Sequence, residues 1–172
     1  TGEAGCFGDT VEEALAKALL ATGFRWPQRG VLLSLGTMSD KYLLIDEARV
    51  LARLGLKLYA TAGTAETLHA EGIACDAVDK GEPGQQSEVL RLLREGEIDL
   101  VVNIPRSFDS QGRPDGFWIR RAATDLELPL LTDLQLARAV VRMLGKVRPP
   151  QAGSTGSLTV LPWREYLARV PA

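Results

Sequence analysis

The chain has 172 residues, 45% of them hydrophobic and 24% charged, with 20 basic and 22 acidic side chains and a formal charge of -2. This length supports one domain with a substantial core, and this composition excludes wholesale disorder. The balanced charge carries no polyanion signature, the cysteines (Cys6, Cys75) and the single histidine (His69) are too few for a closed zinc site or a disulfide framework, and no apolar run reaches the ~18 residues of a membrane span.

Val11, Ala14, Leu15, Ala18 and Leu19 form a helical stripe. Thr10 and Glu13 have capping-box spacing, and Gly23 is the stop. A turn at Trp26-Pro27-Gln28-Arg29-Gly30 leads into a buried strand, Val31 to Leu35. Ser39 then caps a single helix with an apolar face of Leu44, Ala48, Leu51 and Ala52, ended by Gly55.

Leu56 to Ala60 is the second strand, and Thr64 opens a short helix closed near Gly72. Ala77-Val78 closes a third strand, and residues 86–94 are helical. Ile98 to Val102 is apolar apart from Asp99, as a strand covered on both faces requires. Ser107 to Asp115 is a loop. Ile119 to Leu126 is a helix, Pro129 to Leu131 a fifth strand, and Leu134 to Leu144 another helix. Pro149, Pro150, Gly153 and Gly156 mark a tether; Leu158 to Val160 and Trp163 to Ala168 make a closing strand and helix. Alternating strands and helices with short connections predict an α/β domain, a five-stranded parallel sheet with helices on both faces.

In such sheets ligands bind beyond the carboxyl ends of the strands. The residues that follow the five strands are Gly36, Thr37, Ser39 and Lys41; Thr61, Ala62, Gly63 and Thr64; Lys80; Asn103; and Thr132. All are small, hydroxylated, amidic or cationic, while Asp40, Asp79 and Asp133 sit beside them. In Thr61-Ala62-Gly63-Thr64, Gly63 permits a sharp turn, and the free amides of the next helix point outward with the positive end of its dipole. That is a phosphate cradle without a Walker lysine; read alone, the same turn is also an ordinary helix cap.

Lys41 in a helix's first turn opposes the dipole by ~0.3–1 kcal/mol, a cost an anionic ligand would reverse. Lys41, Lys80 and Asn103 each have a plain alternative as surface or turn residues; the case rests on their joint placement at one sheet edge. Arg120-Arg121 serve an anion or contact a neighbouring domain. His69 faces solvent, Cys6 and Cys75 are packing residues, and Glu95, Glu97, Asp99, Asp125 and Glu127 read as solvated edges. No catalytic residue and no metal ligand is assigned.

Leu58-Tyr59-Ala60-Thr61-Ala62-Gly63-Thr64, residues 96–103, Ile104-Pro105, Ile119-Arg120-Arg121-Ala122-Ala123 and Pro129-Leu130-Leu131-Thr132 are motifs of a known family. With them, the chain resembles the carboxy-terminal allosteric domain of the carbamoyl-phosphate synthase large subunit, which has a methylglyoxal-synthase-like fold. The opening Thr1-Gly2-Glu3, Lys17-Ala18 and Thr22-Gly23-Phe24 look like the junction into that domain, so the chain reads as part of a longer polypeptide. The resemblance weakens at 106–114 and 146–157.

The resemblance implies residues 1–145 as the allosteric domain, with 146–172 as tether and closing strand and helix packed on it. It implies a pocket for UMP or IMP formed by Lys41, Thr61, Gly63, Thr64, Lys80 and Asn103. Thr132 matches an ornithine-site position between this domain and the synthetase body, and Arg120 and Arg121 are interdomain candidates. The implied partners are the synthetase body of the same chain and a glutaminase small subunit. ATP and Mg or Mn belong to the parent enzyme, with no cofactor in this domain, no nucleic acid or membrane partner, and a cytoplasmic location.

Two other readings share the fold. A relative responsive to N-acetylglutamate carries tryptophan at the Lys80 position and further asparagines after Asn103, where this chain has Pro105-Arg106-Ser107. A methylglyoxal synthase-type lyase acting on dihydroxyacetone phosphate needs a carboxylate base, and Gly84 stands at that position; its later histidine is also missing.

Overall fold

A computed structural model of the chain describes residues 5–81, 87–105, 116–149 and 158–169. Helix α1 (Val11–Ala21) opens as its sequence dictates: Thr10 accepts the Glu13 amide at 3.1 Å. The reciprocal bond is displaced by one residue, because the Glu13 carboxylate accepts from Asp9 rather than from Thr10.

Five parallel strands follow in the spatial order β3-β2-β1-β4-β5: β1 (Gly30–Leu35), β2 (Lys57–Thr61), β3 (Asp76–Val78), β4 (Leu100–Ile104) and β5 (Leu130–Leu131). Every residue of central β1 is buried, the reason its sequence is a continuous apolar run rather than an alternation. Val31, Leu33 and Leu35 face one helical layer, and Leu32 faces the other. The first layer holds α1, α3 (Ile45–Arg53), α4 (Ala62–Ala70) and α7 (Leu134–Lys146); the second holds α5 (Glu88–Arg94) and α6 (Phe117–Asp125). Register places Ser34 beside Asn103, so the last turn of the sheet presents polar groups toward the α5/α6 side.

Four expectations are corrected. The helix expected from Ser39 is two helices, α2 (Met38–Leu43), capped by Thr37, and α3, with the break at Leu44. The Leu44 amide reaches back only to the Lys41 carbonyl at 3.2 Å, a tightened turn that lets Leu44 and Ile45 both bury. Lys41 therefore lies in the last turn of a short helix, and the dipole cost expected for it is absent. Asp99 is no solvated edge residue: its carboxylate accepts the amides of Gln28, Arg29 and Gly30 at 2.7, 3.0 and 3.2 Å.

Residues 158–160 form no strand. Thr159 instead donates to the Glu13 carboxylate at 3.2 Å, and its carbonyl accepts from Tyr166 on α8 (Trp163–Arg169) at 2.8 Å. Phe7 packs on Trp163 with ring centroids 4.7 Å apart. Desolvation opposes ionisation of Glu13, yet Lys17 and the Asp9 and Thr159 amides hold its carboxyl below its ordinary value. The expected loop at 107–115, Gly84, and residues 150–157 of the tether lie outside the described residues. Among the described residues no helix is long and apolar enough to cross a membrane.

Candidate functional site

The carboxyl ends of β1, β2 and β3 open into a cavity of about 620 Å³. Its walls come from Leu35, Gly36 and Lys41; from Thr61 to Thr64; from Ala77 to Lys80; and from Glu88. Three segments separated in sequence thus bring five of the expected site residues together: Lys41, Thr61, Gly63, Thr64 and Lys80.

Each is positioned by a local cause. Thr61 ends β2 with extended backbone and serves as the N-cap residue of α4, but its side chain makes no cap bond. It donates instead to Ser34 Oγ at 3.5 Å. The first amides of α4 lack intrahelical partners by the geometry of any helix start, and they open on the cavity wall. Gly63 leaves room for the ammonium: Lys41 Nζ lies 3.0 Å from where a Cβ on Gly63 would sit. Thr64 is 1% exposed, and its hydroxyl bridges the end of β1, accepting from the Leu35 amide at 3.1 Å and donating to the Leu35 carbonyl at 3.4 Å. Its contribution to a ligand is therefore its backbone amide, because its one hydroxyl proton is directed at Leu35.

Gly63→Ala is expected to weaken binding of a phosphorylated ligand by about fivefold while leaving the thermal midpoint within about 2 °C. The atom a methyl meets is the far end of a flexible side chain, so the ammonium swings away without backbone strain. Calorimetric titration alongside a thermal melt checks both halves.

Asn103 is not among the lining residues. It is 2% exposed, donates to the Ser34 carbonyl at 3.4 Å and accepts from Arg120 of α6. Strand order reverses between β1 and β4, and the Asn103–Arg120 pair sits beside that switch point. Arg121 pairs with Asp125 on the surface of α6 at 2.8 Å, which raises its already high pKa. Thr132 is exposed at the end of β5, next to Asp133, the cap of α7. His69 lies at the far end of α4, with Nε2 2.9 Å from the Cys75 carbonyl and 3.4 Å from its thiol. Burial pushes that thiol up, with Asp76 adding to the effect.

Sequence reasoning missed Glu88, whose place in a helix's first turn already had an explanation. Among the described residues no cluster of three or more His, Cys, Asp or Glu side chains gathers to hold a metal ion. A second cavity of about 600 Å³ lies between α1 and α8, lined mainly by Phe7, Leu20, Leu158, Val160, Trp163 and Tyr166. Its ammonium, Lys17, is already engaged by the Phe7 carbonyl, Glu13 and Tyr166. The carboxyl-edge cavity combines lysines, helix-start amides and polar walls, a chemistry suited to holding a phosphoryl group.

A family model described as "MGS-like domain" matches residues 43–132. The chain is 36% identical over 156 residues to "Multifunctional protein URA2" of Saccharomyces cerevisiae, covering 85% of this chain and 7% of that protein. It is 33% identical over 172 residues to human "Carbamoyl-phosphate synthase [ammonia], mitochondrial", covering 98% of this chain and 11% of the relative. The frog protein of the same name, from Aquarana catesbeiana, is 39% identical over 142 residues, covering 80% and 9%. The chain therefore spans only about a tenth of the length of these relatives. The crystal structure of methylglyoxal synthase from Elizabethkingia anophelis NUHP1 superposes with a TM-score of 0.51 at 18% identity, over 85% of this chain and 95% of that one, a likeness of fold.

Proposed function

The chain belongs to the MGS-like domain family, and on that premise we propose that it is the effector-binding regulatory domain of a carbamoyl-phosphate synthase. Its effector is a phosphorylated metabolite such as UMP or IMP. The observation that carries this reading is the convergence of Lys41, Lys80 and the amino end of α4 on one cavity. The two ammonium groups pair with the phosphate, and the amides of Gly63 and Thr64 hydrogen-bond it. Asn103 lies buried behind the cavity and touches no phosphate; it braces the end of β1 by donating to the Ser34 carbonyl.

The parent enzyme makes carbamoyl phosphate with ATP and a divalent metal, for pyrimidine and arginine synthesis. Its synthetase body, in the same chain, is the partner that reads the effector, and a glutaminase subunit supplies nitrogen. An effector regulates only by binding the two states of that enzyme unequally. The exposed faces of α6 and Thr132 are the surfaces of this domain available to carry such a difference.

Calorimetric titration of the chain with UMP, IMP and N-acetylglutamate tests the reading. UMP or IMP is expected to bind, and Lys41→Ala or Lys80→Ala each to weaken that binding about tenfold. Silence toward both nucleotides at millimolar concentration overturns the proposal, and binding of N-acetylglutamate alone moves the domain to the other effector class. Because Asp79 and Glu88 add carboxylates to the cavity wall, dihydroxyacetone phosphate belongs in the same series. No methylglyoxal is expected from it, and turnover would make the domain a lyase.

A further inference from the structure

The cavity has two poles. Lys41 leans over Gly63 at the start of α4, on the β1 and β2 side. Asp79 and Glu88 line the opposite, β3 side, where Lys80 follows Asp79. Glu88 is held there by its position as the first residue of α5 and by a 3.4 Å bond from the Asp79 amide to its Oε2. Its Oε1 lies 4.0 Å from Arg91, and its side chain is 45% exposed. A carboxylate offers roughly four acceptor positions, so these two contacts leave Glu88 able to accept from a ligand.

A volume of about 620 Å³ falls within the range of organic-ligand pockets and holds far more than one phosphate. A ligand's second anionic group on that side would meet two carboxylates, Asp79 and Glu88, against one ammonium, Lys80. A ligand with a phosphoryl group at one end and hydroxyl donors at the other satisfies both poles.

We infer that Glu88 is a specificity-determining residue that accepts a hydrogen bond from a sugar-type hydroxyl, selecting phosphorylated polyols over inorganic phosphate and over dicarboxylates. The inference rests on the phosphoryl-binding reading of the same cavity and adds to it the chemistry of the ligand's far end. Charge-assisted acceptance by Glu88 gives a hydroxyl-bearing ligand its advantage, and like-charge repulsion gives a dicarboxylate its disadvantage.

Four probes separate these effects: UMP, its 2′,3′-dideoxy analogue, inorganic phosphate and N-acetylglutamate, each titrated into wild type, Glu88→Ala and Glu88→Gln. Glu88→Ala is expected to weaken UMP about tenfold while strengthening inorganic phosphate and N-acetylglutamate, and to abolish the preference for UMP over the dideoxy analogue. Glu88→Gln keeps an acceptor oxygen without the charge, so it recovers part of the UMP affinity. A shift of the same sign for all four probes is a plain charge effect and overturns the inference, as does unchanged UMP affinity. Both of those outcomes leave the phosphoryl reading standing. Failure of wild type to bind any phosphorylated probe removes that reading and this inference together.

Discussion

Gly30→Ala is expected to destabilise the chain by about 3 kcal/mol, lowering its thermal midpoint by roughly 10 °C. Gly30 starts β1 and is buried between β2 and the approach to β4. A Cβ there would lie 2.4 Å from the Glu97 carbonyl oxygen and 2.8 Å from the Tyr59 ring. The first contact is with backbone, so no rotamer relieves it. Either β1 or the segment before β4 must move, and Asp99 joins the two. Its amide donates to the Gly30 carbonyl at 2.9 Å, and its carboxylate gathers three amides of the preceding turn. Urea denaturation checks the expectation; a loss below 1 kcal/mol would mean that the strand entrance yields easily. Because the carboxyl-edge cavity lies at the other end of β1, ligand affinity measured well below the midpoint should stay within about twofold of wild type.

The parts of the molecule that rest on short-range chemistry were legible in the sequence. Val31 to Leu35 reads as a doubly covered strand because no polar residue interrupts it until Ser34, at the carboxyl end. The Thr61 to Thr64 turn falls where a strand must hand over to a helix, and it forms the cavity wall. What eluded the sequence depends on partners far along the chain. The expected apolar face, Leu44, Ala48 and Leu51, falls at and after the break, and α2 buries none of its own residues, so periodicity alone does not reveal the break.

Asn103 looks like a residue after a strand. It lies within β4, held by Ser34 from β1 and Arg120 from α6, contacts 69 and 17 residues away in sequence. Thr64 looks like a phosphate donor, yet the end of β1 takes its hydroxyl. Residues 158–160 have strand composition, but the Glu13 carboxylate accepts the Thr159 amide that a ladder would have used. Each case has the same physical root: a side chain's hydrogen-bonding capacity is local, and the group that uses it is set by topology.

Glu47 is the sharpest instance, and it supports the second large prediction. On α3 it reads as one more polar residue of an amphipathic helix, yet it is 2% exposed. Its Oε1 accepts from Arg138 Nε at 3.1 Å and Arg142 Nε at 3.2 Å, both on α7, while Oε2 has no hydrogen-bond partner among the described residues. The two arginine side chains are 33% and 54% exposed, so the burden of burial falls on the carboxylate.

That asymmetry sets the order of effects. Removing both cations, in Arg138→Ala with Arg142→Ala, strands a negative charge in the α3–α7 interface and is expected to cost about 3 kcal/mol. Removing the carboxylate with an apolar side chain of similar size, Glu47→Met, lets the guanidinium groups turn to water and is expected to change stability by less than about 1 kcal/mol. Paired urea titrations decide the matter, and a larger loss for Glu47→Met than for the double variant would refute it. The consequence reaches the carboxyl-edge cavity, because α3 continues directly from α2, and α2 carries Lys41. A domain whose α3 slips on α7 holds that ammonium less firmly over Gly63. The double variant should therefore also bind a phosphorylated ligand a few-fold more weakly, whereas Glu47→Met should not.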